Sequence, residues 1–176
     1  IDLLDGAMAD LHNDLRSGRC ELFIAYDLDL EPWVETTPLR STSTYALFPE
    51  GHPLGTTGDV DLASLVDEPL VLYDQPQASH YFLSLFEARG LEPRVGHRTS
   101  NFELVRSLVA RGQGYSLLIQ RPASDLSYEG LPLTCRPVRD PAHTQTIVVA
   151  TPASRASQRA MKVAARAGRT QPPGVP

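Results

Sequence analysis

The sequence predicts an α/β fold with parallel sheets, because strand patterns and helix patterns alternate along most of its 176 residues. The alternation is clearest between Arg98 and Pro122, where a short extended run, a helix pattern, a Gly-Gln-Gly stop and a second strand follow one another. It occurs in two runs, and residues 70–119 are expected to form a compact α/β lobe of their own. With 41% hydrophobic residues the chain is able to bury a core in one domain or two small lobes.

The first third of the chain contains several predicted elements. Residues 1–4 are predicted to be a strand, and a helix with one apolar face follows and ends at Gly18. Residues 20–26 are predicted to be a strand buried on both faces, because their apolar residues run without alternation. Further elements are expected at residues 36–40 and 44–48, which are extended, and at residues 59–65, a short helical turn.

The middle of the chain contains two predicted amphipathic helices, at residues 79–89 and 101–111. Ser79 is predicted to cap the first, and Ser100 is predicted to form a capping box with Glu103 at the start of the second. Gly112 and Gly114 are expected to end the second helix and turn the chain into the next strand. The remaining predicted elements are strands at residues 70–73, 94–99, 115–119, 133–138 and 147–150, a helix at 154–167, and a disordered Pro-rich tail at 171–176.

Composition and charge exclude several classes of protein. A net charge of −5 argues against a nucleic-acid surface, which requires concentrated positive charge. No apolar run approaches the ~20 residues that cross a bilayer, and we expect no export leader before Ile1. Since the first residue is not methionine, we expect the chain to begin inside a longer gene product. Cys20 and Cys135 are predicted to be free, buried thiols rather than a disulfide, which fits a reducing cytosol.

The sequence contains little that indicates catalysis. It has no nucleophile elbow, no phosphate-binding loop and no paired-histidine zinc motif, and its five histidines are scattered without metal-ligand spacing. The acidic pairs Asp27 with Asp29 and Asp67 with Glu68 are better explained as solvated turns than as acid and base. We therefore expect no enzyme activity, no cofactor and no metal.

Polar residues cluster at the predicted carboxyl ends of strands, where open α/β sheets bind their ligands. Taken one at a time they are explained equally well as ordinary caps and loop residues, but their shared placement favours a binding site. If the two lobes face each other, a carboxylate is expected to meet backbone N–H groups at Ser79 or Ser100, with Arg121 or Asn101 fixing its orientation. The candidate ligand-binding residues are Tyr26, Asp27, Gln77, Ser79, His80, Ser100, Asn101, Gln120 and Arg121.

Three segments, in this order and at these separations, resemble the effector-binding domain of LysR-type transcriptional regulators. They are residues 15–24 (LRSGRCELFI), 45–54 (YALFPEGHPL) and 104–118 (LVRSLVARGQGYSLL). The resemblance extends from Ile1 to about Ala167. It implies a periplasmic-binding-protein type II fold, in which two α/β lobes are joined by two crossing strands.

The resemblance also implies a division of the chain. Residues 1–41 and 122–176 would form the first lobe and residues 42–121 the second, with crossing strands near Arg40–Thr44 and Leu118–Arg121. Two family features are not found: the winged helix-turn-helix that binds DNA, and one strand and helix that precede the position of Ile1. The first lobe is accordingly expected to lack part of its sheet.

The family resemblance implies a small-molecule effector, commonly an organic acid or metabolite, bound in the cleft between the lobes. It also implies homodimers or homotetramers, no membrane contact, a cytoplasmic location, and DNA binding only through the missing domain. The hypothesis is an effector-sensing and oligomerisation domain of a bacterial transcriptional regulator. The alternatives are an extracytoplasmic solute-binding protein of the same fold and an enzyme on a two-lobed scaffold.

Overall fold

The computed structural model describes residues 2–56, 58–139 and 144–153. The chain divides into two compact units, one composed of Ile1–Thr42 with Gln145–Pro176 and the other of Ser43–Thr144. In chain order the regular elements are α1 (Met8–Ser17), β1 (Phe23–Tyr26), β2 (Val34–Ser43), β3 (Tyr45–Pro49), β4 (Leu70–Tyr73), α2 (Pro76–Glu87), β5 (Val95–Thr99), α3 (Phe102–Ala110), β6 (Ser116–Leu118), β7 (Leu133–Pro137) and β8 (Thr144–Pro152), with 3₁₀ turns at Pro53–Gly55 and Leu62–Leu65.

The first unit contains a three-stranded sheet in the order β1-β8-β2. Strands β1 and β8 are antiparallel, and Phe23 lies opposite Ala150. These two residues and Leu15 of α1 form the buried centre of the unit. Helix α1 ends at Gly18, whose φ of 76° allows its N–H to bond to the carbonyl oxygen of Leu15.

The second unit contains a sheet in which the strand order β6-β3-β7 is antiparallel throughout. Strands β4 and β5 are parallel to each other, and β4 is joined to the β6 segment by the bridge between Leu70 and Tyr115. The hydroxyl of Ser116 donates to the carbonyl oxygen of Val71 at 2.7 Å across the same junction. Helix α3 packs on β3 and β4 through Val105 and Val109, which are fully buried.

The predicted α/β class and most predicted elements are confirmed, but the strand expected at residues 1–4 is absent from the described residues 2–7. The strand expected to be buried on both faces begins only at Phe23, and Ile24 is 52% exposed. Strand β1 lies at the edge of the sheet β1-β8-β2, and a strand is buried on both faces only where a layer covers each face. The predicted helix at 154–167 and the predicted tail lie outside the described residues.

The predicted lobe boundary also differs from the structure. The chain enters the second unit between Thr42 and Ser43 and leaves it between Thr144 and Gln145, rather than near Leu118–Arg121. The cause is β7, which pairs with β3 from Tyr45 opposite Pro137 to Pro49 opposite Leu133. The stretch that the sequence assigned to the first lobe from residue 122 onward therefore supplies a strand to the second unit.

Both helix caps were predicted at the wrong residue. Helix α2 begins at Pro76 with Gln75 as its N-cap, so Ser79 lies inside the helix and donates to the carbonyl oxygen of Pro76 at 3.4 Å. Helix α3 is capped by Asn101, whose side-chain oxygen accepts the N–H of Leu104 at 3.0 Å. The capping box of Ser100 and Glu103 does not form, and the Glu103 carboxylate instead lies 3.4 Å from Nε of Arg106.

Candidate functional site

The starts of α2 and α3 lie at the same edge of the second unit, because each helix follows one strand of the parallel pair β4 and β5. The N–H of Asp74, after β4, donates to the carbonyl oxygen of Thr99, at the end of β5, at 2.9 Å. The side-chain amide of Gln75 donates to the carbonyl oxygen of Ser100 at 3.3 Å. Two successive residues after β4 are thus bonded to the last residue of β5 and to the residue that follows it, and the two helix starts are held side by side.

The two helix starts differ in how their N–H groups are satisfied. Asn101 caps α3, and its own N–H donates to the hydroxyl of Thr99 at 3.2 Å. In α2 the N-cap residue Gln75 makes no capping hydrogen bond, and its side chain is directed to Ser100 instead. Since Pro76 has no N–H, the uncapped donors at the start of α2 are the backbone N–H groups of Gln77 and Ala78. A helix start of this kind favours an anionic or hydrogen-bond-accepting group.

The structure brings several predicted site residues together at this edge. Ser100 and Asn101 lie at the start of α3, and Gln77, Ser79 and His80 lie in the first turns of α2. Gln75 and Thr99, whose hydrogen bonds join the starts of α2 and α3, are not among the site residues predicted from the sequence. Pro76 was the available signal, because proline is favoured at the first position of a helix and marks Gln75 as the cap.

Gln120 and Arg121 lie in the second unit after β6 and are engaged differently. The hydroxyl of Tyr45 donates to the carbonyl oxygen of Gln120 at 2.9 Å. Burial raises the pKa of Tyr45 above its ordinary value, so this donor stays protonated. Arg121 forms an ion pair with Asp125, with Nη2 3.2 Å from Oδ2, so this guanidinium already has a carboxylate partner.

Tyr26 and Asp27 belong to the first unit. Tyr26 ends β1 opposite Ile147, and the N–H of Asp27 donates to the carbonyl oxygen of Thr146 at 2.8 Å. A pocket of about 380 Å³ lies elsewhere in the same unit, beside the end of α1, and no predicted site residue lines it. It is lined by Leu15, Arg16, Ser17, Gly18, Cys20, Glu21, Trp33 and Pro152.

The two cysteines are free thiols, as predicted. Burial and the neighbouring carboxylate of Asp125, whose Oδ1 lies 3.6 Å from the sulfur, together raise the pKa of Cys135 to about 11. Burial also raises the pKa of Cys20, which is only partly buried. Both thiols are protonated at neutral pH and are therefore weak nucleophiles.

Two histidines have structural roles in the packing of the chain. His12 is buried with its ring edge-on to Phe23 and Trp33. His52 stacks on Phe48, and its Nδ1 accepts the N–H of Leu54 at 3.3 Å. Across residues 2–56, 58–139 and 144–153, no group of three or more His, Cys, Asp or Glu side chains is arranged to hold a metal ion. No helix in these ranges is long and apolar enough to cross a membrane.

Comparison with known proteins decides the family. The family model of the LysR substrate binding domain matches residues 1–171. The chain belongs to this family. The predicted resemblance to the effector-binding domain of LysR-type regulators is thereby confirmed, and with it the periplasmic-binding-protein type II fold.

Individual relatives agree with this assignment. The transcriptional regulator BenM of Acinetobacter baylyi is 30% identical over 141 residues, which cover 77% of this chain and 45% of BenM. The C-terminal domain of a probable LysR family regulator from Rhodococcus sp. RHA1 superposes with a TM-score of 0.85 at 34% identity, covering 94% of this chain and 82% of that one. The BenM effector-binding domain with its effector benzoate has a TM-score of 0.78 at 26% identity, covering 98% and 82%. The LysR domain spans about half the length of the curated relatives or less.

Proposed function

We propose that this LysR domain senses a small organic acid on behalf of a bacterial, cytoplasmic transcriptional regulator and performs no chemistry on it. The observation that carries the proposal is the pair of helix starts joined by Gln75 and Ser100, of which the α2 start offers uncapped N–H donors. An acid carboxylate satisfies such donors and interacts favourably with the positive end of the helix dipole. Benzoate, the effector of the related BenM, is an acid of this class.

The proposed contacts combine both units. In the second unit they are Gln77, Ser79 and His80 on α2 with Ser100 and Asn101 at the start of α3. Gln120 and Arg121 after β6, and Tyr26 and Asp27 at the end of β1, complete the proposed set. We propose that the two units act as the family's two lobes and that the acid binds one lobe arrangement more tightly than the other, by about 1–3 kcal/mol.

The proposed output is a change in the geometry of an oligomer. In this proposal the domain forms homodimers or homotetramers, and DNA is bound by a separate domain of the full regulator. A ligand with equal affinity for both lobe arrangements would leave the oligomer unchanged, so the preference for one arrangement is the essential requirement.

A thermal-shift and calorimetry screen with benzoate, salicylate, shikimate and succinate tests the proposal. A genuine effector at about 100 times its Kd is expected to stabilise the domain by ~2.7 kcal/mol. Ser100→Ala and Ser79→Ala are expected to weaken binding about tenfold or more, since each removes a hydroxyl that bonds to a charged group. Recovery of the acid unchanged after incubation is expected, and turnover would overturn the non-enzymatic assignment.

Ser84→Ala is the matched control. Ser84 and Ser79 lie in the same helix, and each hydroxyl donates to the carbonyl oxygen three residues earlier, at 2.8 Å to Tyr81 and 3.4 Å to Pro76. Only Ser79 lies at the helix start, so Ser84→Ala is expected to bind the acid like the wild type. Equal losses in both variants would show that the effect is on the helix and not on a ligand contact.

A further inference from the structure

Tyr81 of α2 forms a hydrogen bond with Thr44 inside the second unit. The two hydroxyl oxygens are 3.0 Å apart. Tyr81 is 8% exposed and Thr44 is 3% exposed, so water does not compete freely for this pair. A buried hydroxyl is unfavourable without a partner, and the bond therefore resists displacement of α2 from Thr44.

Thr44 lies where the chain passes between the two units. It is the second residue after the crossing between Thr42 and Ser43. Its carbonyl oxygen accepts the N–H of Val138 at 3.4 Å, and Val138 precedes the return crossing between Thr144 and Gln145. Thr44 thus lies beside the first crossing between the units, and its backbone is bonded to Val138, in the stretch that leads to the second crossing.

Tyr81 lies close to the proposed ligand contacts of α2. Gln77 precedes it by four residues, which places the two side chains on the same face of the helix, one turn apart. His80 is its immediate neighbour in the chain. A ligand that moves the start of α2 therefore acts on the element that carries the Tyr81 hydroxyl.

We propose that the buried Thr44–Tyr81 hydrogen bond couples the ligand contacts of α2 to the two segments that connect the units. Tyr81 is in this view a positioning residue that transmits effector binding and does not contact the effector. The proposal rests on the proposed function, because it assigns the step between binding and the change in lobe arrangement. It concerns contacts within the second unit alone.

Hydrogen exchange with and without the tightest-binding acid of the screen tests this coupling. The variants are Tyr81→Phe, Thr44→Val and the double variant, each of which keeps the approximate shape and removes a hydroxyl. In the wild type the acid is expected to slow exchange at residues 40–46 and 136–139. Each variant is expected to bind the acid with a Kd within about threefold of the wild-type value and to lose this slowing of exchange. The double variant is expected to lose no more of the slowing than either single variant, because both substitutions remove the same hydrogen bond.

Tyr73→Phe is the control, because the Tyr73 hydroxyl makes no hydrogen bond within the described residues while its ring packs edge-on to Phe102. It is expected to respond to the acid like the wild type. A purely structural Tyr81 would lower the melting temperature and leave the ligand-induced slowing intact, and that result would overturn the proposal.

A ligand-free measurement separates failure of this proposal from failure of the proposed function. Loss of one hydrogen bond corresponds to about a fivefold change in a local opening equilibrium. Tyr81→Phe is therefore expected to speed exchange at residues 40–46 and 136–139 about fivefold while leaving β5 unchanged. If no acid binds the wild type, the proposed function fails, but faster exchange in Tyr81→Phe still supports the coupling of α2 to residues 40–46 and 136–139. Unchanged exchange at both segments would overturn that coupling.

Discussion

Arg106 illustrates how a charged side chain is accommodated in the interior of the second unit. It lies on α3 with 1% of its surface exposed. Its Nη2 donates to the carbonyl oxygens of Ser124 and Leu126, at 3.0 and 2.6 Å. The guanidinium also lies 5.9 Å from the ring centroid of Phe102. Arg106 therefore fixes a loop that the sequence alone marks only as a variable connection after Pro122.

Gly114 is a position that no other residue is able to occupy without a shift of the backbone. Its φ is 139°, and a Cβ built there would collide with the carbonyl oxygen of Pro69. That oxygen accepts the N–H of Tyr115 at 3.0 Å, at the junction of β4 with the β6 segment. The close approach of two backbones, and not the turn alone, requires glycine here.

Gly114→Ala is accordingly expected to lower the free energy of unfolding by about 3 kcal/mol or more, because strain and a backbone collision add. Gly112→Ala is the control, since Gly112 also has a positive φ, 73°, but has open space around its Cβ position. Gly112→Ala is expected to lower the free energy of unfolding by about 1–2 kcal/mol. Urea unfolding measures both, and equal costs at the two sites would contradict the role assigned to Pro69.

At the scale of the elements, the presence of α1, α2 and α3 and their glycine stops followed from local sequence, whereas the caps and the start of α2 did not. Gly18 ends α1 and Gly112 follows the end of α3, as expected from their conformational freedom. Each N-cap is a single residue, and it caps the helix only if its side chain bonds to the helix start and not to another group nearby. Gln75 is not a typical cap residue and bonds across to Ser100, which no local pattern indicates.

The cap of α3 gives a test of this distinction. Asn101→Ala is expected to cost about 1 kcal/mol, because the N–H of Leu104 loses its acceptor. Ser100→Ala is expected to change ligand-free stability by less than about 0.5 kcal/mol. If Ser100 formed a capping box with Glu103, Ser100→Ala would instead destabilise the domain more than Asn101→Ala. The melting temperatures of the two variants, measured without ligand, decide between Asn101 and Ser100 as the cap.

At the scale of the whole molecule, the second unit is continuous in sequence and the first is not. Ser43–Thr144 contains the sheet β6-β3-β7 and the parallel pair β4-β5. Its buried cluster includes Tyr45, Leu47, Val71, Val105 and Leu133. Leu133 and Cys135 reach this cluster only because β7 pairs with β3. The strand is therefore part of the core of the unit and not a connection to the other one.

A segment of residues 43–144 is expected to fold alone and unfold in a single urea transition, with an m-value of about 1–3 kcal/mol per molar. A segment of residues 42–121, which follows the boundary predicted from sequence, is expected to remain unfolded because β3 loses β7. Circular dichroism during urea titration distinguishes the two. A cooperative transition in the shorter segment would show that β7 is dispensable for this core.

The amino-acid sequence by itself determined the α/β class, the order of most elements and the family, because apolar periodicity, glycine stops and characteristic segments are local signals. It also placed Gln77, Ser79, His80, Ser100 and Asn101 near the starts of α2 and α3, but it did not identify the cap of either helix. Only the tertiary structure decided that β7 belongs with β3, that residues 2–7 form no strand, and that Gln75 holds Ser100. Each of these depends on which groups lie beside one another in space, and a local sequence pattern does not record neighbours that are distant in the chain.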